Sequence, residues 1–420
     1  MRHSVPVFLS LVSLACSSSS PAPAPDRNVQ FALKYTTAAG QETHWCEYKK
    51  LPKSASGEVL VSGAKWSWKN AHHWAIYRLQ PGTPIADLPL DKPFDCFNPL
   101  GAMKYAQFSS AFLQAEPSGE TSFPAGTAFP FASDEIVILQ THAINTTAAP
   151  IDISVDLQLK VSDAAAVQNK LGLIQFYDPY IYVPAHAAAT AQMRCKIPQD
   201  ITLVRTTTHF HMRGARVDSF LDASDGTRAT SPFVSSTSWA LPPVLDAPVK
   251  VPQGSYIRTV CQYQGDDSNP AVQGQYKGDK EMCMTIAYYY PVVEGPAQGL
   301  FENCVQNPLT TPDGKELAGF GDSFGTGSVG CFDTLSCVQK VLGANPSEAP
   351  NPHDGQIDVG PNFQKCIVDS CPSASTPLFR ATNCIGTKCA QDCSDPQKCQ
   401  SCVIANCGAE VGVCMAQKCE

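Results

Sequence analysis

The chain has 420 residues, room for two to three domains at roughly 150 residues each. Its formal charge is −8, from 30 Lys and Arg against 38 Asp and Glu, and only 16% of residues are charged, which excludes a basic stripe for nucleic acid. Pro (34) and Gly (28) are frequent and Val, Thr, Tyr and Phe fall in short runs, a composition of strands joined by turns that disfavours helical bundles and disorder.

The chain opens with Arg2, an apolar run from Val5 to Leu14 and then Ala15-Cys16, an export signal too short to cross a bilayer as a helix. Residues 1–28 are expected to be a signal peptide and a Ser/Pro/Ala stalk. Cys16 stands where a bacterial lipoprotein signal has its lipidated cysteine, and this resemblance predicts an exported protein. It would be anchored through Cys16 at the outer membrane or cell surface, or secreted, with no other membrane contact. From 29 to about 305, strand-like runs such as 58–62, 136–140, 151–159 and 286–290 alternate with turn residues. They predict an all-β region of two tandem antiparallel β-sandwich (jelly-roll-like) domains, at 29–190 and 191–305. The Gly/Pro/Asp/Ser-rich stretch 306–330 reads as a linker. Residues 331–420 hold 12 of the 19 cysteines and predict a small, partly helical, disulfide-rich module, because helices this short and apolar-poor need cross-links. Cys399-x2-Cys402 has the spacing of a zinc or redox pair, but with no His nearby and ten cysteines around it disulfides are favoured, their connectivity left open. Cysteine in this quantity implies an oxidising compartment.

Three histidine motifs lie in the strand-rich region: His72-His73, His142 and His209-x-His211. Side chains at i and i+2 of a strand share a face, so His209 and His211 are expected to point together at one metal. Adjacent His72 and His73 need a bulge, a strand end or different ring nitrogens to do so. Met282 opens a strand-like run and is followed by Cys283. A thioether with imidazoles suits copper cycling between Cu(I) and Cu(II). Each feature alone has an ordinary explanation, as a hydrogen-bonded core histidine or a core-filling methionine.

As an ordered series, HHW at 72–74, LQTHA at 139–143, THFH at 208–211 and EMCM at 281–284 resemble the copper type II, ascorbate-dependent monooxygenases. That family includes peptidylglycine-hydroxylating and dopamine β-type enzymes, and the resemblance covers about residues 29–305. It implies two mononuclear copper sites facing an open interdomain cleft. His72, His73 and His142 would hold the electron-storing copper, and His209, His211 and Met282 the copper that binds dioxygen, with Gln140 beside the electron path. The resemblance further implies ascorbate as reductant, dioxygen and a small-molecule or peptide substrate as partners, and disulfides Cys46–Cys96, Cys195–Cys304 and Cys261–Cys283. Asp95 and Glu281 are candidates for setting imidazole tautomers. Where the peptide-amidating branch has an Arg, an Asn and a Tyr to hold the substrate carboxylate, this chain has Thr207, Met284 and Ile286. A less polar substrate is therefore expected, unless Arg205 or Arg213 substitutes from a shifted position. His44, His186 and His353 are expected to be surface or hydrogen-bonded structural residues. The competing reading is a non-catalytic copper-binding surface lipoprotein, and oligomeric state is left open.

Overall fold

The computed structural model describes residues 28–80, 82–97, 106–114, 116–178, 180–265, 268–274, 280–293, 303–305, 309–310, 316–317, 325–348, 360–389 and 391–419. The expected signal and stalk through residue 27, most of the expected linker, and His353 lie outside them.

The first half forms β1 (Val29–Thr37), β2 (Glu42–Lys50), β3 (Glu58–Lys69), β4 (His73–Leu79), β5 (Phe94–Asp95), β6 (Ala106–Gln114), β7 (Ser118–Ser122), β8 (Thr127–Ala132), β9 (Ile136–Ile144), β10 (Ile151–Val161) and β11 (Asn169–Lys170). They make two sheets, β1-β10-β3-β8-β11 with β7 also on β3, and β5-β2-β9-β4-β6. β1 obeys the two-residue period, burying Val29, Phe31 and Leu33 while Gln30, Ala32 and Lys34 face solvent. β9 is central and buried on both faces over residues 136–143, which accounts for its nearly unbroken apolar run. Side chains from both sheets, including Leu33, Trp66, Trp74, Leu139 and Val155, meet in one apolar core.

The second half forms β12 (Gly172–Tyr177), β13 (Tyr182–Val183), β14 (Ala188–Lys196), β15 (Ile201–His209), β16 (Gly214–Asp222), β17 (Val234–Ser236), β18 (Val244–Leu245), β19 (Val249–Val251), β20 (Tyr256–Gln264), β21 (Ala271–Gln273), β22 (Lys280–Glu281), β23 (Met284–Tyr290) and β24 (Asn303–Val305), followed by the pair β25 (Leu309–Thr310) and β26 (Glu316–Leu317). The sheets run β18-β15-β23-β12-β24 with β19 also on β15, β14-β20-β16-β17, and β13-β21-β22. β12 precedes residue 190 yet pairs antiparallel with β23 and parallel with β24, inside a sheet of the second half. The halves share a core. Leu173, Met284, Ile286 and Tyr288 pack with first-half residues, and the Phe123 and Tyr288 rings lie 4.5 Å apart. In the four-stranded sheet the enclosed Asp222 carboxylate accepts from Arg194 Nε at 3.0 Å and Arg258 Nε at 2.9 Å, so three buried charges are mutually satisfied.

The C-terminal region folds as α1 (Cys331–Ala344), α2 (Pro361–Val368), α3 (Ser375–Lys388) and α4 (Pro396–Ala416). Its twelve cysteines pair as 331–414, 337–366, 371–419, 384–407, 389–402 and 393–399. Cys399 and Cys402 thus belong to two different disulfides. In the β region Cys46–Cys96 and Cys261–Cys283 form as expected. Cys195 is disulfide-bonded too, while the side chain of its expected partner Cys304 lies outside the described residues. The chain is therefore predominantly β with a helical, disulfide-dense C-terminal module.

Candidate functional site

The first histidine cluster is a product of sheet register. Antiparallel pairing sets His142 of β9 opposite His44 of β2 on one side and His73 of β4 on the other. β4 begins at His73, and Asn70 with φ 59° turns the chain just before it, so His72 stands at the strand end and escapes the opposite-face rule. Its amide donates to His142 O at 2.7 Å. Ring nitrogens of His72, His73 and His142 consequently lie within 4.8 Å of one another, with His72 Nδ1 and His73 Nδ1 3.1 Å apart. Two nitrogens bound to one ion at about 2.0 Å stand at roughly that separation. His142 Nε2 lies 2.8 Å from Glu42 Oε1, and an ionised carboxylate only accepts. The proton therefore sits on Nε2 and the lone pair on Nδ1, a buried atom with no hydrogen-bond partner among the described residues. Burial, reinforced by the neighbouring imidazoles, holds His73 well below its ordinary value, leaving a neutral ring able to ligate. Gln140 shares the His142 face of β9 and accepts from the Tyr77 hydroxyl at 3.2 Å.

Two residues of this cluster were not anticipated. Glu42 fixes the His142 tautomer, and His44 is buried, with its ring stacked on His142 at 4.1 Å and edge-on to Phe97 at 5.0 Å. Glu42, His44 and Cys46 alternate along β2, a visible signal, but only the β2–β9 pairing brings them to His142. Asp95, expected as a tautomer candidate, instead caps a turn by accepting from Phe97 N.

The second cluster forms where strands end. β15 stops at His209, so His211 lies beyond the strand, contrary to the expected two-position stagger within one. Phe210 between them is buried, and its ring lies so close to Gly214 that a Cβ there would stand 1.8 Å away. Glycine at that point lets the turn close on Phe210. The rings of His209 and His211 stand 5.2 Å apart and nearly perpendicular. β15 pairs with β23 with His209 opposite Met284, two residues after Met282. Glu281 ties this corner together, its carboxylate accepting from the backbone amides of His211 at 2.9 Å and Arg213 at 2.7 Å. Burial pushes the Glu281 carboxyl up to about 7, and these amides pull against that rise. His211 Nδ1 donates to Lys280 O at 3.0 Å, because a carbonyl only accepts, so Nε2 carries the lone pair. Tyr263 donates its hydroxyl to Met282 O at 2.7 Å, and Cys261–Cys283 pins the adjoining residue.

The two clusters lie near enough to share neighbours. Trp239 of the second half stacks on His72 of the first at 5.2 Å and 21°. His209 is held well below its ordinary value by burial first, then by His211, His72 and His142, so imidazoles of one cluster feel those of the other.

The positions that could hold a substrate carboxylate are taken up in the fold. Met284 and Ile286 are buried in the shared core, and Thr207 donates its hydroxyl to Pro243 O. Arg205, a bulge residue with φ 50°, pairs with Asp246 at 2.8 Å, and Arg213 donates to Asn269 O at 2.8 Å. Both guanidinium groups are engaged elsewhere.

Residues 170–307 match the family model "Copper type II ascorbate-dependent monooxygenase, C-terminal domain". Human dopamine beta-hydroxylase is 24% identical over 312 residues, covering 67% of this chain and 47% of the relative, so the chain spans about half the length of the curated relative it matches. Among solved structures, PNGase F, a glycosylasparaginase from Flavobacterium meningosepticum, covers 62% of this chain and 96% of its own length at TM-score 0.30 and 10% identity. PNGF-II covers 62% of this chain and 65% of its own at TM-score 0.25 and 10% identity. Neither likeness carries an argument. The sequence matches support the copper, ascorbate-dependent monooxygenase family.

Proposed function

We propose that this chain is an exported copper monooxygenase with two mononuclear copper sites, hydroxylating a C–H bond of a substrate less polar than a C-terminal peptide carboxylate. The observation that supports the proposal most directly is the gathering of His72, His73 and His142 ring nitrogens within 4.8 Å of one another, in a chain whose residues 170–307, which include His209, His211 and Met282, match the family model. The donor sets fit the metal, with three imidazoles in one and two imidazoles with a thioether in the other. In the first, His72, His73 and His142 would ligate through Nδ1. In the second, His211 would ligate through Nε2, with His209 and Met282.

Bound copper would take electrons from ascorbate or another reductant and activate dioxygen for insertion into the substrate C–H bond. The protein's own part is positional. Glu42 and Lys280 O hold the protons of His142 and His211 away from the metal, and Glu281 fixes the corner that presents His211. Gln140 holds its place beside His142 through Tyr77. Met284 and Ile286 give the surroundings of Met282 an apolar character, which favours a substrate without a carboxylate at that point.

We read the two halves as two sandwich domains with the boundary at about residue 171, where β12 joins the second half, and residues 1–28 as an export signal followed, from a lipid anchor at Cys16, by a Ser/Pro/Ala stalk. The test is copper content and ascorbate-driven oxygen uptake on the full chain over a panel of C–H substrates. Two coppers are expected in the parent, about one each in Met282→Ala and His142→Ala, and substrate-dependent uptake in the parent alone. Stoichiometric copper without substrate-stimulated uptake across the panel would overturn catalysis in favour of sequestration, and absence of copper would overturn the metal assignment itself.

A further inference from the structure

The cysteine-rich module packs against β13 and β21, and β21 pairs with β22, the strand that leads into Met282. Gln364 of α2 is completely buried, and its side-chain oxygen accepts from the backbone amides of Ile181 at 3.1 Å and Gln273 at 3.0 Å. Ile181 leads into β13 and Gln273 ends β21, so this one oxygen joins both strands to the module. An oxygen with two lone pairs is saturated by two such donors, and either amide without it would be buried and unsatisfied.

From β21 the connection runs on without a gap. β21 pairs in parallel with β22, Gln273 opposite Glu281, and Gly274 N donates to Glu281 O. β22 supplies the Lys280 carbonyl that accepts from His211 Nδ1 and the Glu281 carboxylate that accepts from the His211 and Arg213 amides. Met282 follows immediately. Apolar contacts reinforce the dock, for Tyr180 enters the core of the module and its ring lies 6.4 Å from Phe363 and 5.8 Å from Phe379. The disulfide Cys337–Cys366 fixes α2 two residues from Gln364.

We propose that the cysteine-rich module is a built-in clamp for the His209/His211/Met282 centre, with Gln364 as a positioning residue that acts through β21, β22 and Glu281. As an effect on copper, the proposal rests on the metal assignment above. As an effect on the geometry of 209–213 and 280–283, it stands without metal. A three-stranded sheet with strands of two or three residues has little pairing of its own to hold it. An external hydrogen-bond anchor is what such a sheet needs to present ligands at fixed distance. The first cluster, on the long strands β2, β4 and β9, has no such dependence.

The test uses the full chain with Gln364→Leu, which removes the acceptor, and Gln364→Glu, which keeps it. Non-reducing mass mapping confirms that the module's six disulfides form in each. In the metal-free proteins, Gln364→Leu is expected to speed amide hydrogen exchange in 209–213 and 280–283 while leaving 136–144 unchanged, and Gln364→Glu to restore slow exchange. In copper-loaded protein, Gln364→Leu is expected to weaken one of two coppers about 10-fold and to diminish the sulfur scattering of Cu(I) in X-ray absorption. The other copper is expected to be unaffected. Unchanged exchange in 209–213 and 280–283, or acceleration equal in 136–144, would overturn the clamp whatever the metal result. Faster exchange in Gln364→Leu, where the parent binds no copper, would support the clamp and overturn only its role in copper binding.

Discussion

The two histidine clusters are held by different physics. His73 and His142 sit on strands of seven and nine residues inside a five-stranded sheet, so the register that builds the core also aligns the imidazoles. His209, His211 and Met282 sit at or beyond strand ends, and what aligns them is a buried carboxylate, a carbonyl and a disulfide. A cluster fixed by register loses a ligand only when the fold is lost. One fixed by side chains at a strand end can lose its geometry while the fold survives. That contrast suits an assignment in which one centre stores electrons and the other changes its coordination to accept an external ligand.

The largest expected break of this symmetry is Glu281→Ala. It leaves the amides of His211 and Arg213 buried without their acceptor, at about 1–3 kcal/mol each. Chemical unfolding should show a stability loss of about 4 kcal/mol, and copper analysis of the surviving folded protein should show the second centre lost with the first retained. Equal loss of both coppers would mean that the clusters are not independently held.

Acid should separate the halves next. Burial alone would raise the Asp222 carboxyl, but the hydrogen bond from Arg258, the Ala229 amide and the charge of Arg194 bring it below its ordinary value. A carboxyl lowered on folding contributes stability that is fully present above its unfolded value of about 3.9. That contribution is lost as pH falls through the lower folded value. The segments of β14, β16 and β20, which carry Arg194, Asp222 and Arg258, are therefore expected to lose hydrogen-exchange protection below about pH 4 before β9 does, and Asp222→Asn to remove that pH step. Simultaneous loss in β9 would show that the shared core unfolds as one unit.

Much of this was legible in the sequence because the signals are local. The strand-like run at 151–159 marked β10, and the histidine motifs marked His72, His73 and His142, which the fold gathers. The crowding of twelve cysteines after 331 marked the module. What was hidden depends on pairings between distant residues. His44 and His142 are stacked neighbours 98 positions apart only because β2 pairs with β9. Trp239 reaches His72 from the other half, and Gln364 reaches Ile181 across 183 positions. The strand-end position of His211 was missed because an H-x-H spacing reads the same in a strand and in the turn that follows one. No periodicity within a single segment encodes these contacts, since each is decided by how whole sheets and the module dock.

The smallest expected effect falls on the register-built cluster. Glu42 holds the proton of His142 on Nε2 and so turns the Nδ1 lone pair toward His72 and His73. In Glu42→Ala, His142 keeps its place, because β9 and the stacked His44 ring still hold it, but both tautomers become accessible. Only the tautomer bias is lost, so affinity at the first centre should fall about 10-fold, close to 1.4 kcal/mol, with fold stability nearly unchanged. Competition with a copper chelator measures the first quantity and chemical unfolding the second. A loss of several kcal/mol in stability would show that Glu42 holds the sheet itself, and that the first cluster leans on a carboxylate as heavily as the second.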